Sequence, residues 1–141
     1  MGLVYSQIKL INSDDLALVR RGFLSKDQVK EMDVRILVDS GAYMLAINET
    51  IKIQLGLSKL DEQMGELADG SKQVFEIVGP VDIRFANRQT TVRAVVLPGD
   101  AEPLLGSIPM EDMDVLIDPK QQRLIVNPTA PYMAKKSLKK V

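Results

Sequence analysis

Apolar side chains recur along this chain in short alternating runs, each closed within about ten residues by a turn signal, a rhythm that leaves room for little helix. Val4 to Ile11 is the first run, and Val34, Ile36 and Val38 alternate with Arg35 and Leu37 in the next. Ser71 to Val78 follows, then Val81 to Phe85 and Thr90 to Leu97 around a turn at Asn87-Arg88. Val115-Leu116-Ile117 and Leu124-Ile125-Val126 close a last hairpin across Asp118-Pro119-Lys120. The expected class is all-β, a sandwich or barrel with one or two short helices. At 141 residues and 45% hydrophobic, the chain suffices for one domain with its own core, expected over residues 1–128, followed by a basic tail over 129–141.

Between the runs, Asn48 is placed to cap a helix over Ile47 to Leu55, with Ile51 and Leu55 on one face and Gly56 suited to a left-handed stop. Ser107 is a second candidate cap, with Glu111 and Asp112 expected in the early turns of its helix. Asn12 to Lys26 reads as a polar connection in which Ser25-x-x-Gln28 caps a single helical turn. Asp69-Gly70, between Glu66-Leu67-Ala68 and the Ser71 run, is a strong hairpin signal. Gly79-Pro80 should bend its ribbon or sit at a sheet edge.

Composition narrows the chemistry. Cys and His are both absent, which removes thiol nucleophiles, disulfides, Cys/His zinc sites and every imidazole-dependent triad. Acid-base work would fall to carboxylates, Lys, Tyr or a hydroxyl, and no cofactor or metal site is expected. Asp112-Met113-Asp114 with Asp118 lacks the spacing and glycine of an EF-hand loop, and Met110 and Met113 read as core. Ser71-Lys72 would point to opposite faces of a strand, which rules out a Ser/Lys nucleophile.

All 19 acids precede Pro128, so the body is acidic while Lys135, Lys136, Lys139 and Lys140 crowd the end, where a solvated, frayed terminus is the expectation. No nucleic-acid signal accompanies them. Met1-Gly2-Leu3-Val4-Tyr5-Ser6 fits the loose myristoylation pattern, yet its alternation continues into Gln7-Ile8-Lys9-Leu10 as a strand's does. With no apolar stretch of bilayer length and no basic-apolar leader, a soluble, cytoplasmic chain without membrane contact is expected.

One local pattern has a strong mechanistic reading. Ile36-Leu37-Val38 delivers Asp39 into Ser40-Gly41-Ala42, a turn in which Gly41 lets backbone N–H groups approach the carboxylate and the Ser40 hydroxyl supplies a hydrogen bond. Asp-[Ser/Thr]-Gly alone arises by chance in on the order of one chain in ten of this length, and an Asx turn closing a strand is its structural alternative. The order of the surrounding elements adds information: apolar strand, Asp-Ser-Gly-Ala, short helix, Asp-Gly hairpin, long strand, Leu-Leu-Gly, short helix, closing strands. From the Val4 strand to about Val126 this resembles the retropepsin-like aspartic proteases, with the bacterial single-domain branch most similar.

That resemblance implies a closed acid-protease barrel with Asp39 catalytic and Ser40, Gly41 and Ala42 supporting it. It places a flap at Ala68, Asp69, Gly70 and Ser71, and a second loop at Leu104, Leu105 and Gly106 that supports the catalytic strand by pseudo-symmetry. Tyr43 stands where viral members often carry an acid that binds substrate backbone, and Ser107 where a basic residue often follows the second Gly. The chain holds a single Asp-[Ser/Thr]-Gly, so a carboxylate pair requires a homodimer with one Asp39 from each subunit on a two-fold axis, acting on an extended peptide or protein. The alternative is a non-catalytic module on the same fold that holds a peptide by strand addition.

Overall fold

The computed structural model describes residues 2–138. Nine strands and three short α-helices follow one another as β1 (Val4–Asn12), α1 (Ser13–Arg20), β2 (Glu31–Val38), β3 (Leu45–Ile47), α2 (Glu49–Leu55), β4 (Ser58–Glu66), β5 (Lys72–Phe85), β6 (Arg88–Val96), β7 (Leu104–Leu105), α3 (Ser107–Met113), β8 (Val115–Asp118) and β9 (Arg123–Val126). Six strands close a ring in the order β1-β2-β7-β3-β6-β5, with β5 returning to β1. The β2–β7 and β3–β6 pairs are parallel and the other ring pairs antiparallel. The expected all-β class is the observed one, a ring of strands with three short α-helices where one or two were expected.

Alternation fills the ring. Ile8, Leu10, Val34, Ile36 and Val38 point inward from β1 and β2, meeting Leu45, Ile47, Val81, Ile83 and Leu105. The β8–β9 hairpin forms its own two-stranded sheet and contributes Val115 and Leu124 to the same core.

β5 belongs to two structures. Its first half pairs with β4 up to Ser58↔Gly79, and from Val81 it pairs with β1 instead. Gly79-Pro80 falls at that change of partner, where the β5–β6 register also shifts; Pro, with no N–H, sits where the ladder is already interrupted. β4 pairs only with β5, so the β4–β5 hairpin stands out from the ring.

Several expectations need correction. Asn12 to Lys26 is not merely a connection, because α1 occupies its first half: Asn12 caps it, Asp14 and Asp15 favour its first turn, and Arg20 its last. Leu16 and Val19 share a groove with Ile11, so the helix covers an apolar side chain on the outer face of β1. The turn at Lys26–Gln28 has the expected Ser25/Gln28 capping box. α2 has its Asn48 cap and left-handed Gly56 but begins at Glu49, since Ile47 belongs to β3, buried between β6 and β7. Arg88 is the first residue of β6, and the two-residue turn is Ala86-Asn87.

The end of the chain is also more tied down than a frayed terminus. Arg88, only 2% exposed, donates to Ala130 O, and Asn87 donates to Pro131 O at 2.8 Å. Lys135 N donates to Asp114 Oδ2 at 2.9 Å, and the Lys136 ammonium pairs with Asp112 at 2.9 Å. Lys139, Lys140 and the Met1 start of the myristoylation-like pattern lie outside the described residues. Among the described residues, no helix is long and apolar enough to cross a membrane.

Asn12 joins two helices through one buried side chain. Its Oδ1 accepts from Asp15 N at 3.1 Å, and its Nδ2 donates to Leu55 O at 2.8 Å, satisfying the start of α1 and the end of α2. Asn12→Ala should therefore cost about 2–3 kcal/mol, the loss of a cap plus a buried hydrogen bond, read as a lower urea midpoint with an unchanged slope.

Candidate active site

Asp39 follows directly on the buried Val38, at the point where β2 lies beside β7 in parallel register, Leu37↔Leu104 and Val38↔Leu105. Its N–H donates to Leu105 O at 3.0 Å, and Leu37 N donates to Pro103 O at 3.1 Å. The turn closes with Ala42 N donating to Asp39 O at 3.1 Å, while Gly41 N donates to the carboxylate Oδ1 at 2.9 Å. A Cβ on Gly41 would stand 3.2 Å from Oδ1, so the glycine makes room for this approach. The sequence reading expected a hydrogen bond from the Ser40 hydroxyl; the observed donor to the carboxylate is the Gly41 amide, and Ser40 is exposed.

The chain leaving the turn is bound to the second loop as well. Ser107 N donates to Ala42 O at 2.8 Å, and Ile108 N donates to Tyr43 O at 2.9 Å. These bonds explain why Ser107 is not the cap of α3: it is the first helical residue, its amide is engaged by the catalytic-type turn, and Gly106 takes the capping position. Glu111 and Asp112 consequently fall late in α3, and Asp112 accepts from the Thr90 hydroxyl and Lys136, which hold its carboxyl below the usual range.

Two cavities border this turn. One, about 460 Å³, is lined by Asp39 and Ser40 together with Leu3, Val4, Ile117 and Pro119. The other, about 270 Å³, lies between the turn and the β4–β5 hairpin and is lined by Ala42, Met44, Leu104, Phe75, Ile77 and Leu97 among others. The structure thus brings Asp39, Ser40, Gly41 and Ala42 together with Leu104, Leu105 and Gly106. It does not bring the hairpin tip to them: Ala68, Asp69, Gly70 and Ser71 are exposed, and the hairpin reaches the cavity through Gln63 to Leu67.

The tip itself is well formed. Leu67 N donates to Ser71 O at 2.8 Å and Gly70 N to Leu67 O at 2.9 Å, so Leu67 and Ala68 belong to the turn and not to a strand arm. Asp69 accepts from the Ser71 hydroxyl and amide, which lower its carboxyl below the usual range, and Gly70 has φ +85°. The preceding arm, β4, went unassigned in the sequence because almost all of it is exposed on both faces. Tyr43, Met44 and Phe75 were missed as cavity residues too; Phe75-x-Ile77, alternating on one face, was the available signal. Among the described residues, no cluster of three or more acids stands where a metal ion could be held.

Residues 26–125 match the family described as "gag-polyprotein putative aspartyl protease". The chain belongs to that family. The match to this retroviral-type aspartyl protease family runs from the turn before β2 into β9 and contains the Asp39 turn, the hairpin and the Leu104–Gly106 loop. Among solved structures, the chain is similar to the retroviral protease-like domain of Ddi1 from Leishmania major, at 18% identity and a TM-score of 0.57 over 91% of this chain and 90% of that one, a likeness of fold. No curated protein matches the sequence.

The tightest approach in the site is at Gly106, where a Cβ would meet Tyr43 C and Met44 O at 2.5 Å. Both are backbone atoms, so a side chain there must part the two loops. Gly106→Ala should cost about 3 kcal/mol by overpacking, measured by urea denaturation, and should loosen the Ser107 amide in hydrogen exchange.

Proposed function

We propose that this protein is an aspartic endopeptidase that works as a homodimer, with Asp39 of each subunit forming a carboxylate pair on the two-fold axis. The observation that carries the reading is the Asp39 turn itself: an acid at the end of a buried strand, its carboxylate held by the Gly41 amide and its backbone by Leu105. Family membership supports it, and the single Asp-Ser-Gly in the chain makes the second acid a matter for a second copy. The groove beside Asp39 has an apolar border of Leu3, Val4, Leu37 and Ile117 that such a copy would cover.

Two carboxylates about 3 Å apart cannot both ionise, so they share one proton. The ionised Asp39 takes a proton from a water as that water attacks the peptide carbonyl; the protonated one hydrogen-bonds the developing oxyanion and serves the leaving amine. Ser40, Gly41 and Ala42 fix the acid, and Leu104, Leu105 and Gly106 brace its strand. The hairpin ending in Ala68, Asp69, Gly70 and Ser71 is the lid over an extended peptide. Residues 1–128 make the protease domain, with 129–141 an appended tail, and the absence of cysteine suits a cytoplasmic setting.

The lid predicts an effect separable from stability. Gly70 needs its left-handed conformation, and open space surrounds it, so Gly70→Val should strain only the tip. Turnover of a peptide substrate should fall about tenfold while the denaturation midpoint stays near wild type. Unfolding of the variant, or untouched turnover, would remove the hairpin from the mechanism.

Asp39→Asn should keep the fold and dimer and remove cleavage. When equal amounts of wild type and Asp39→Asn exchange subunits, wild-type dimers fall from about half to about a quarter of the total by random pairing. Activity should therefore drop by about half on exchange proven with mass-tagged chains. Unchanged activity would reject the shared pair, and wild type that binds peptides without cutting them would identify a binding module instead.

A further inference from the structure

Gly65 is the one half-buried residue of the otherwise exposed β4, and it lies diagonally across the hairpin from Phe75, whose opposite partner is Gln63. A Cβ built on Gly65 would stand 2.7 Å from Phe75 Cε2 and 2.8 Å from Cδ2, closer than real side chains pack. Unlike Gly70, Gly65 does not have a left-handed backbone, so nothing in its conformation requires glycine. What requires it is space. The Phe75 ring, 7% exposed, folds against the hairpin backbone at the position where β4 offers no side chain.

Both residues line the cavity of about 270 Å³ beside the Asp39 turn. Its other walls include Ala42, Met44, Ile77, Leu97 and Leu104, and Glu66 is the one charged residue among those lining it. Such a surface selects by size and apolarity. We propose that the Gly65–Phe75 contact sets which substrate side chain enters: with the ring folded onto Gly65, the cavity admits one large apolar side chain of an extended peptide, Leu, Met or Phe. Any Cβ at position 65 swings the ring off the hairpin and into that space. The inference rests on the reading of this cleft as a peptide site.

The test is peptide binding in an Asp39→Asn background, where cleavage does not interfere. Fluorescein-labelled hexapeptides carry Ala or Leu at each position in turn. One position should favour Leu over Ala by about tenfold or more, the scale on which an apolar pocket discriminates. Gly65→Ala should abolish that preference and leave the other positions unchanged. Adding Phe75→Val to Gly65→Ala should restore it, because valine has no atom where Cε2 or Cδ2 stands. A preference unchanged in Gly65→Ala, or not restored by the second substitution, overturns the inference while leaving the peptide reading intact. Failure of the folded Asp39→Asn protein to bind any peptide overturns both.

Discussion

The hydrogen bond from Asp39 N to Leu105 O, with those from Ser107 to Ala42 and from Ile108 to Tyr43, locks two loops from distant parts of the chain into one unit. The first loop ends β2 and the second joins β7 to α3, so neither can move without the other. Gly106 makes the lock possible, since any side chain there would occupy the backbone of Tyr43 and Met44. These are backbone bonds, and an acid so placed is positioned by the chain path more than by its rotamer. That suits the proton transfer proposed for Asp39, which needs its target within about 3 Å.

Rigidity at the turn contrasts with the hairpin above it. β5 is anchored in the ring from Val81 onward, while its first half pairs as a strand only with β4 and, in part, with β6. The anchor at the base is Lys52 of α2, whose ammonium pairs with Glu76 on β5 at 2.6 Å, and Glu76 is the main cause of the upward shift of Lys52. Past that point, the arms from Gln63 to the tip are exposed except where Gly65 and Phe75 meet. A strand with one half fixed in the ring and one half outside it lets a single sheet supply both a core and the lid proposed above.

Where burial and local signals agreed, the sequence was legible. Asn48, Ile51, Leu55 and Gly56 gave α2 because cap, face and stop all lie within nine residues, and Ile36 to Gly41 gave the catalytic-type turn for the same reason. Elements whose character is set from far away were not legible. β3 is buried on all three residues by β6 and β7, so it has no alternation to see. β4 is exposed on nearly all nine of its residues, and only its pairing with β5 makes it a strand. Ser107 has the right chemistry for a cap and loses the role because its amide faces Ala42 O. α1 is different: Asn12, Asp14-Asp15 and Arg20 spelled out a helix, and polarity alone led to its reading as a connection.

The geometry of the lock also bears on the proposed pairing of two copies. The loop bound to the Asp39 turn is Leu104-Leu105-Gly106-Ser107, and it offers carbonyls, amides and apolar side chains but no acid. Its central residue is glycine because the approach is too close for any side chain, so a carboxylate could not be introduced there without separating the loops that hold Asp39. The contact that makes Asp39 rigid thus excludes a second acid at position 106, where the two loops touch. The shared-proton pair proposed above requires a surface that stays open beside Asp39, and a groove running past Leu3, Val4 and Ile117 lies there.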